Sequence, residues 1–366
     1  MKKIIFFTNY PSPYRVEFFN QLGTVENIDL TVLFLMRPEE TQEQRDAKWF
    51  NTEYKNFNVV FCRKKVKIAK GFVYYPEVLE WAKKKFDHVI FGGYADFSFM
   101  IAMQYLMMKH IPYILEIDGG IIKQDNIIIH YLKHHFIGSA SKYMSSGENS
   151  DKYLLNYGAK AEKIYRYPFT SLTESDLKNA ERMLQNKLVY REKLGFSDKK
   201  YVLFVGRFIK EKGIDVLLEA ASKMSDEVQF VLVGGLPTDE MKDYCSKHHI
   251  HNVEFPGFFT KSELSSYYLG ADLFILPTRG DVWGLVINEA MAYGLPVITT
   301  DQCVAGLELV KNGENGYVIP ADDSDAIVNA LTTVLQQTQE MGNKSLSIIR
   351  DYSIENMVKA HIAMLV

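Results

Sequence analysis

The stretch Gly280-Asp281-Val282-Trp283-Gly284-Leu285-Val286-Ile287-Asn288-Glu289-Ala290-Met291-Ala292-Tyr293-Gly294-Leu295-Pro296-Val297 reads as a loop ending in a tight glycine turn, then a short helix, then a buried strand. The predicted helix opens near Leu285, so the unpaired N–H groups of its first turn point out of the loop. Such an end attracts anions, above all phosphate. Glu289 falls at i+4 from Leu285, on the same face as those amides. Gly294 ends the helix and Pro296 bars its continuation. An acid in the loop (Asp281), exposed amides at Leu285 and Val286, and a second acid in the helix suit a sugar joined to a phosphate.

The chain starts twice. Residues 2–7 form a buried-strand pattern leading into a loop and a helix, and residues 199–205 repeat it. Each half then alternates short apolar runs with helical periods, as parallel βαβ units do. The runs lie at 30–35, 88–91 and 113–117, then at 229–233, 273–276 and 296–299. This predicts an α/β protein with two Rossmann-like domains facing each other across a cleft. The first is expected over 1–170 and the second over 198–352, with 171–197 a charged helical linker. Residues 353–366 read as a helix.

At 366 residues the chain is long for one core and typical for two domains. Its 47% apolar and 24% charged content is that of a soluble globular protein. Cys62, Cys245 and Cys303 are too scattered for a disulfide framework or a zinc site, and suggest a reducing cytosol. No signal peptide is expected, since only four apolar residues follow Met1-Lys2-Lys3 before Thr8. The longest near-apolar run, at 97–108, falls short of the ~20 residues that span a bilayer.

Charge is unevenly spread. Residues 1–170 hold 23 basic and 18 acidic side chains, and the remainder 19 and 27. The positive half contains Arg63-Lys64-Lys65-Val66-Lys67-Ile68-Ala69-Lys70 and Lys83-Lys84-Lys85. These are either solvated lysines near sheet edges or contacts for an anionic membrane or a phosphate-bearing acceptor. Nucleic acid is not an expected partner, as no binding motif accompanies the charge.

The string at 280–297 resembles the signature of the family 4 retaining glycosyltransferases, in which an acid, seven residues and a Glu lie within a Gly-Leu-x-x-x-Glu-Ala-Met-Ala-x-Gly-x-Pro-Val-Ile run. Asp281 stands where most members carry Glu. Val205-Gly206-Arg207-Phe208-Ile209-Lys210-Glu211-Lys212-Gly213 is similar to the family's Gly-Arg…Lys-Gly segment. Phe255-Pro256-Gly257, Ala271-Asp272 with Leu276-Pro277, and Asn312-Gly313-Glu314-Asn315-Gly316-Tyr317 extend the likeness over the second half. The first half is similar only loosely. The resemblance implies the GT-B fold, with the C-terminal helix returning to the first domain.

It also implies roles. Arg207 and Lys212 hold both phosphates of a nucleotide diphosphate in place of a metal, stabilising the charge that builds as the sugar–phosphate bond breaks. Glu289 accepts from the ribose hydroxyls. Gly284, Leu285 and Val286 meet the diphosphate, and Asp281 faces the donor sugar. Gly234 lets a ligand approach the backbone. Phe258 lies where the family seats the nucleobase, with a core position as the alternative. Asp118, before Gly119-Gly120, takes the place of a family His at a strand tip. It either lines the site or is a plain turn residue. Tyr14 and Arg15, in a loop that replaces the family's glycine-rich one, are candidates for the acceptor side.

Two patterns are set aside. Asp323-Ser324-Asp325 has metal-site spacing, but it precedes an apolar-periodic run and reads as a helix cap. His130 and His134 stand at i, i+4 without a third ligand and read as surface residues. No Gly-x-Gly-x-x-Gly follows either opening strand, against a dinucleotide dehydrogenase.

The expectation is therefore a metal-independent, retaining hexosyltransferase with no cofactor. Its donor is a nucleotide diphosphate sugar, UDP-linked first, and its acceptor a lipid-linked glycan. The expected place is the inner face of the cell membrane, as a peripheral cytoplasmic protein. A soluble or protein acceptor is the nearest alternative. A GT-B pseudoenzyme that stabilises a partner glycosyltransferase is the alternative from another class.

Overall fold

Apolar runs buried on both faces become parallel strands here, with helices covering the two faces of each sheet. The computed structural model describes residues 1–38, 40, 53–69 and 72–365. By its internal contacts the chain divides into two units, Met1–Phe169 with Ile354–Val366, and Thr170–Ser353.

The first unit comprises strands β1 (Lys2–Thr8), β2 (Ile28–Phe34), β3 (Asn58–Phe61), β4 (Val66–Ala69), β5 (Phe72–Tyr74), β6 (His88–Gly92), β7 (Ile114–Ile117), β8 (Lys142–Ser145) and β9 (Ile164–Arg166). Its helices are α1 (Pro13–Leu22), α2 (Pro76–Ala82), α3 (Phe97–Met108), α4 (Ile127–Gly138) and α5 (Glu148–Asn156). Among the described residues, seven strands pair in the order β3-β2-β1-β6-β7-β8-β9, all parallel. Ile4 of β1 lies opposite Leu30 on one side and His88 on the other.

Local chemistry sets the helix starts. Pro13 opens α1, where its missing N–H costs nothing. Asp96 caps α3 by accepting from the Ser98 N–H at 2.7 Å, and Asn126 caps α4 through the Ile129 N–H at 2.9 Å. The core against the sheet is aromatic. Phe7 stacks on Phe91 at 4.8 Å, and Tyr113 meets Phe91 edge-on.

The helix Ile354–Leu365 belongs to this unit although the other unit intervenes in sequence. Lys2 Nζ donates to the Leu365 carbonyl at 2.8 Å and Lys142 Nζ to the Met364 carbonyl at 2.7 Å. Strands β4 and β5 stand apart as an antiparallel pair. Of the basic run at 63–70, Lys67 lies on β4 and Arg63, Lys64 and Lys65 lead into it; Lys70 itself lies outside the described residues. Arg63, Lys64, Lys65 and Lys67 are exposed, as are Lys83, Lys84 and Lys85. Lys84 Nζ sits 3.1 Å above the Trp81 ring.

The second unit comprises α6 (Glu174–Leu184), α7 (Lys187–Lys193), β10 (Lys200–Val205), α8 (Ile214–Ser222), β11 (Val228–Val233), α9 (Asp239–Lys247), β12 (Val253–Gly257), α10 (Lys261–Gly270), β13 (Leu273–Leu276), α11 (Leu285–Ala292), β14 (Val297–Thr300), α12 (Val304–Leu309), β15 (Gly316–Ile319), α13 (Ser324–Val334) and α14 (Thr338–Ile349). Its described strands pair in parallel, in the order β12-β11-β10-β13-β14-β15.

Residues 171–197 differ from the expected linker. They form α6 and α7 and belong to the second unit. Arg191 donates to the Gly270 carbonyl at 2.9 Å and to Asp272 at 3.1 Å, and Lys187 Nζ donates to the Ala271 carbonyl at 2.7 Å. These charges therefore tie the stretch to the C-terminal end of α10 and the residue after it. Asp323 caps α13, its carboxylate accepting from the Ala326 N–H at 2.8 Å. No helix among the described residues is long and apolar enough to cross a membrane.

Candidate active site

Strands β10 and β13 are neighbours, yet the chain leaves them in opposite directions along the sheet. Such a reversal opens a crevice beyond the carboxyl ends of the two strands, where α/β sheets bind ligands. Both predicted loops emerge there, 206–213 after β10 and 277–284 after β13. The expected cation and the expected acid meet, since the Lys212 ammonium donates to the Asp281 carboxylate. Arg207 lies on the same loop as Lys212 with its side chain exposed.

A residue that sequence reasoning missed holds the two loops together. The Arg279 N–H donates to the Glu211 carbonyl at 2.7 Å, and the Thr278 hydroxyl to the same carbonyl at 2.9 Å. The Arg279 guanidinium binds Asp215 in bidentate fashion at 2.6 and 2.9 Å and Asp322 at 2.6 Å, which pushes its pKa further up. These bonds fix Lys212 and Asp281 relative to each other.

The loop into α11 is equally constrained. The Asp281 N–H donates to the Gln302 carbonyl and the Ala305 N–H to the Trp283 carbonyl, both at 2.9 Å. Trp283 Nε1 donates to Asn288 Oδ1 at 2.8 Å in the core. Gly284 precedes α11 with φ +102°, and a Cβ there would lie 2.7 Å from Cys303 Sγ. Only glycine fits. Lacking a side chain, Gly284 offers no cap, so the α11 start at Leu285 and Val286 keeps the donor character of an open helix end.

Glu289 accepts from the Tyr268 hydroxyl at 3.0 Å and from the Ser171 hydroxyl at 3.1 Å. Burial pushes its carboxyl pKa up, against the pull of Lys261. It lines a small cavity with Leu172, Asp176, Lys261 and Tyr293. Ser171 and Tyr268 carried no sequence signal for this contact. Phe258 is 51% exposed, which removes the core alternative.

A Cβ at Gly234 would fall 2.1 Å from the Gly206 carbonyl oxygen, so the chain's own backbone requires glycine at this strand end.

In the first unit, β7 ends at Ile117 and Asp118 follows at the tip. The Asp118 carboxylate is held by the Arg15 guanidinium and accepts from the Tyr167 hydroxyl at 2.8 Å. Its side chain remains 26% exposed. Burial pushes its pKa up, Arg15 opposes that, and the charge on Glu116 adds to it. Asp118 is therefore built into a network and is more than a turn residue.

The reading of Arg15 as an acceptor-phosphate contact is corrected. Its side chain is 5% exposed and bridges Glu116 and Asp118. The α1 register turns it inward, beneath Phe6 and Phe169 at 5.9 and 5.5 Å. Tyr14 is half-buried and packs edge-on against Phe169. Glu116 and His361, both missed in the sequence, complete the network at 2.6 Å. Burial alone would raise the Glu116 pKa, but Arg15 and His361 pull it to about 2. Among the described residues, no three His, Cys, Asp or Glu side chains cluster as a metal site, and His130 and His134 are exposed.

The chain is similar in sequence and in fold to known glycosyltransferases. Residues 186–349 match the family model described as glycosyl transferases group 1. An uncharacterized glycosyltransferase of Methanocaldococcus jannaschii is 28% identical over 283 residues, 69% of each chain. The O-antigen chain mannosyltransferase C of Escherichia coli is 23% identical over 299 residues, 80% of this chain and 77% of that one. Several other curated relatives are matched over about half their length. Among solved structures, Anabaena HepE in complex with UDP and glucose superposes with a TM-score of 0.72 at 16% identity, covering 99% of this chain and 98% of that one. The chain thus has the GT-B fold, and its residues 186–349 are similar to the glycosyl transferases group 1 family.

Proposed function

We propose that this protein is a glycosyltransferase that moves a hexose or aminohexose from a nucleotide diphosphate sugar, UDP-linked first, to a hydroxyl of a lipid-linked glycan in bacterial surface polysaccharide assembly. The observation that carries the reading is the β10/β13 switch point. There Lys212 and Asp281 are paired and braced by Arg279, next in the chain to the uncapped start of α11. In this reading Arg207 and Lys212 neutralise the diphosphate, and the α11 amides add to that field.

As the bond from the sugar C1 to the phosphate oxygen breaks, its electron pair goes to the leaving diphosphate. The acceptor oxygen forms the new bond to C1, and its proton passes to the departing phosphate. Negative charge builds on the diphosphate while C1 and the ring oxygen gain positive character, and in this reading fixed cations at the diphosphate lower the barrier without a metal. Retention at C1 follows from the family 4 likeness. The UDP complex of HepE supports the donor class, and the O-antigen relative supports the glycan class.

A thermal-shift panel of nucleoside diphosphates, followed by donor hydrolysis with the purified protein alone, tests this. Stabilisation by one diphosphate together with slow release of free sugar is the expected result. Stabilisation without hydrolysis identifies a pseudoenzyme, and no stabilisation by any diphosphate overturns the reading.

A further inference from the structure

Helix α4 leaves a run of large apolar side chains in solvent. Ile127, Ile128 and Tyr131 are 85%, 68% and 69% exposed, and Ile129, Leu132 and the preceding Ile122 are exposed as well. At ~100° per residue, positions 127, 128, 129, 131 and 132 cover an arc of about 200°. A helix seated in a protein groove needs a stripe little more than half as wide. A tip that is apolar over so broad an arc suits a medium that surrounds it.

The electrical surroundings point to an anionic medium. Ile127–Gly138 contains Lys133 and three histidines and no acid. The nearest acid, Asp125, is paired with Lys133 at 2.9 Å. A second apolar and basic element lies at the same edge of the sheet. In the β4–β5 hairpin, Val66, Ile68 and Phe72 are exposed beside Lys64, Lys65 and Lys67. Phe72 and Tyr74 pack edge-on against Phe97, the first residue of α3, and the Tyr75 N–H donates to Ser98. Helices α3 and α4 both start at the carboxyl edge, and the loop entering α4 begins at Asp118.

We propose that the first turns of α4 insert into an anionic lipid bilayer, with the β4–β5 hairpin as a second contact, seating the first unit on the membrane beside its Asp118 loop. The inference rests on the lipid-linked acceptor of the proposed function. Apolar insertion of this kind resists salt, whereas attraction through surface lysines fades within a Debye length of about 8 Å at physiological ionic strength.

The test is co-sedimentation of the full chain with vesicles of phosphatidylcholine plus phosphatidylglycerol, and of phosphatidylcholine alone, at low and high salt. The wild type should pellet with the anionic vesicles and keep part of its binding at high salt. The triple variant Ile127→Ser, Ile128→Ser, Tyr131→Ser should lose about tenfold or more in partition. Its side chains are exposed, so melting temperature and UDP binding should be unchanged. Separately, Ile128→Trp should show an emission blue shift when anionic vesicles are added. Equal binding by the triple variant overturns the proposal, as does loss of all binding at high salt. A wild-type dimer that the triple variant converts to monomer would also overturn it, by assigning the patch to a second copy. None of these readouts requires turnover, so failure here is separate from failure of the transferase reading, which the UDP shift reports.

Discussion

His361 Nε2 lies 2.6 Å from Glu116 Oε2, with both side chains fully buried. The pair joins the C-terminal helix to the centre of the first sheet. His361 Nδ1 faces the Met357 carbonyl at 2.7 Å, so both ring nitrogens have a hydrogen-bond partner. Through Arg15 the pair continues to Asp118, making three buried side chains the support of one partly exposed carboxylate.

Removing one member should leave an uncompensated buried charge. His361→Leu or Arg15→Met should destabilise the protein by about 3–5 kcal/mol, read from denaturant unfolding. A loss below about 1 kcal/mol would show that the network contributes little.

The same network sets an acid limit. The folded Glu116 pKa of about 2 lies below its free value of 4.5. Its stabilisation is therefore complete above the free value and is lost as pH falls through the folded one. The melting temperature of Glu116→Gln should lie well below wild type near neutrality, and the gap should narrow from pH ~4.5 toward ~2. A gap independent of pH would mean that the cost is one of packing.

Arg207→Ala and Glu289→Ala should fail differently. Arg207 is assigned to charge that grows in the transition state, so its loss should lower kcat by about 10²–10³, roughly 3–4 kcal/mol. Glu289 is assigned to the ribose, which does not change during reaction, so its loss should mainly raise the donor KM. The opposite split would reverse the two assignments.

Asp281→Ala should depress kcat, because it removes both the proposed sugar contact and the partner of Lys212. Asp281→Glu should retain activity by restoring the commoner residue of the resembled family. Silence of Asp281→Ala in steady-state assays would remove it from the site.

Chelation should leave turnover nearly unchanged, since Arg207 and Lys212 are assigned the charge a metal would supply. Activity lost in EDTA and recovered with Mg²⁺ or Mn²⁺ would refute that assignment.

Local pattern was legible and distant pairing was not. The strand Leu273–Leu276 and the helix opening at Leu285 fall where the apolar period and the glycine turn place them. Lys212 and Asp281 sit on loops marked by glycines, so their meeting was foreseeable once a parallel sheet was assumed. His361 and Glu116 are 245 positions apart, and nothing in either local sequence names the other. Arg279 carried no signal of its own, because Asp215 and Asp322 reach it from elements far away in sequence. The charges at 171–197 marked a helical linker. Their hydrogen bonds go to the carbonyls of Gly270 and Ala271, which no charge pattern reveals.

The split of the first unit around the second constrains how the chain is made. Strand β7 and helix α1 leave the ribosome early, but the imidazole that completes their buried cluster follows only after the whole of Thr170–Ser353. Until residue 361 emerges, Glu116 and Arg15 wait without their closing partner, while the second unit already has every strand of its own sheet. Domains generally fold as units in the order of synthesis. Here the later-made unit should reach its native state first, and pulse-proteolysis of stalled nascent chains would show protection arriving in that inverted order.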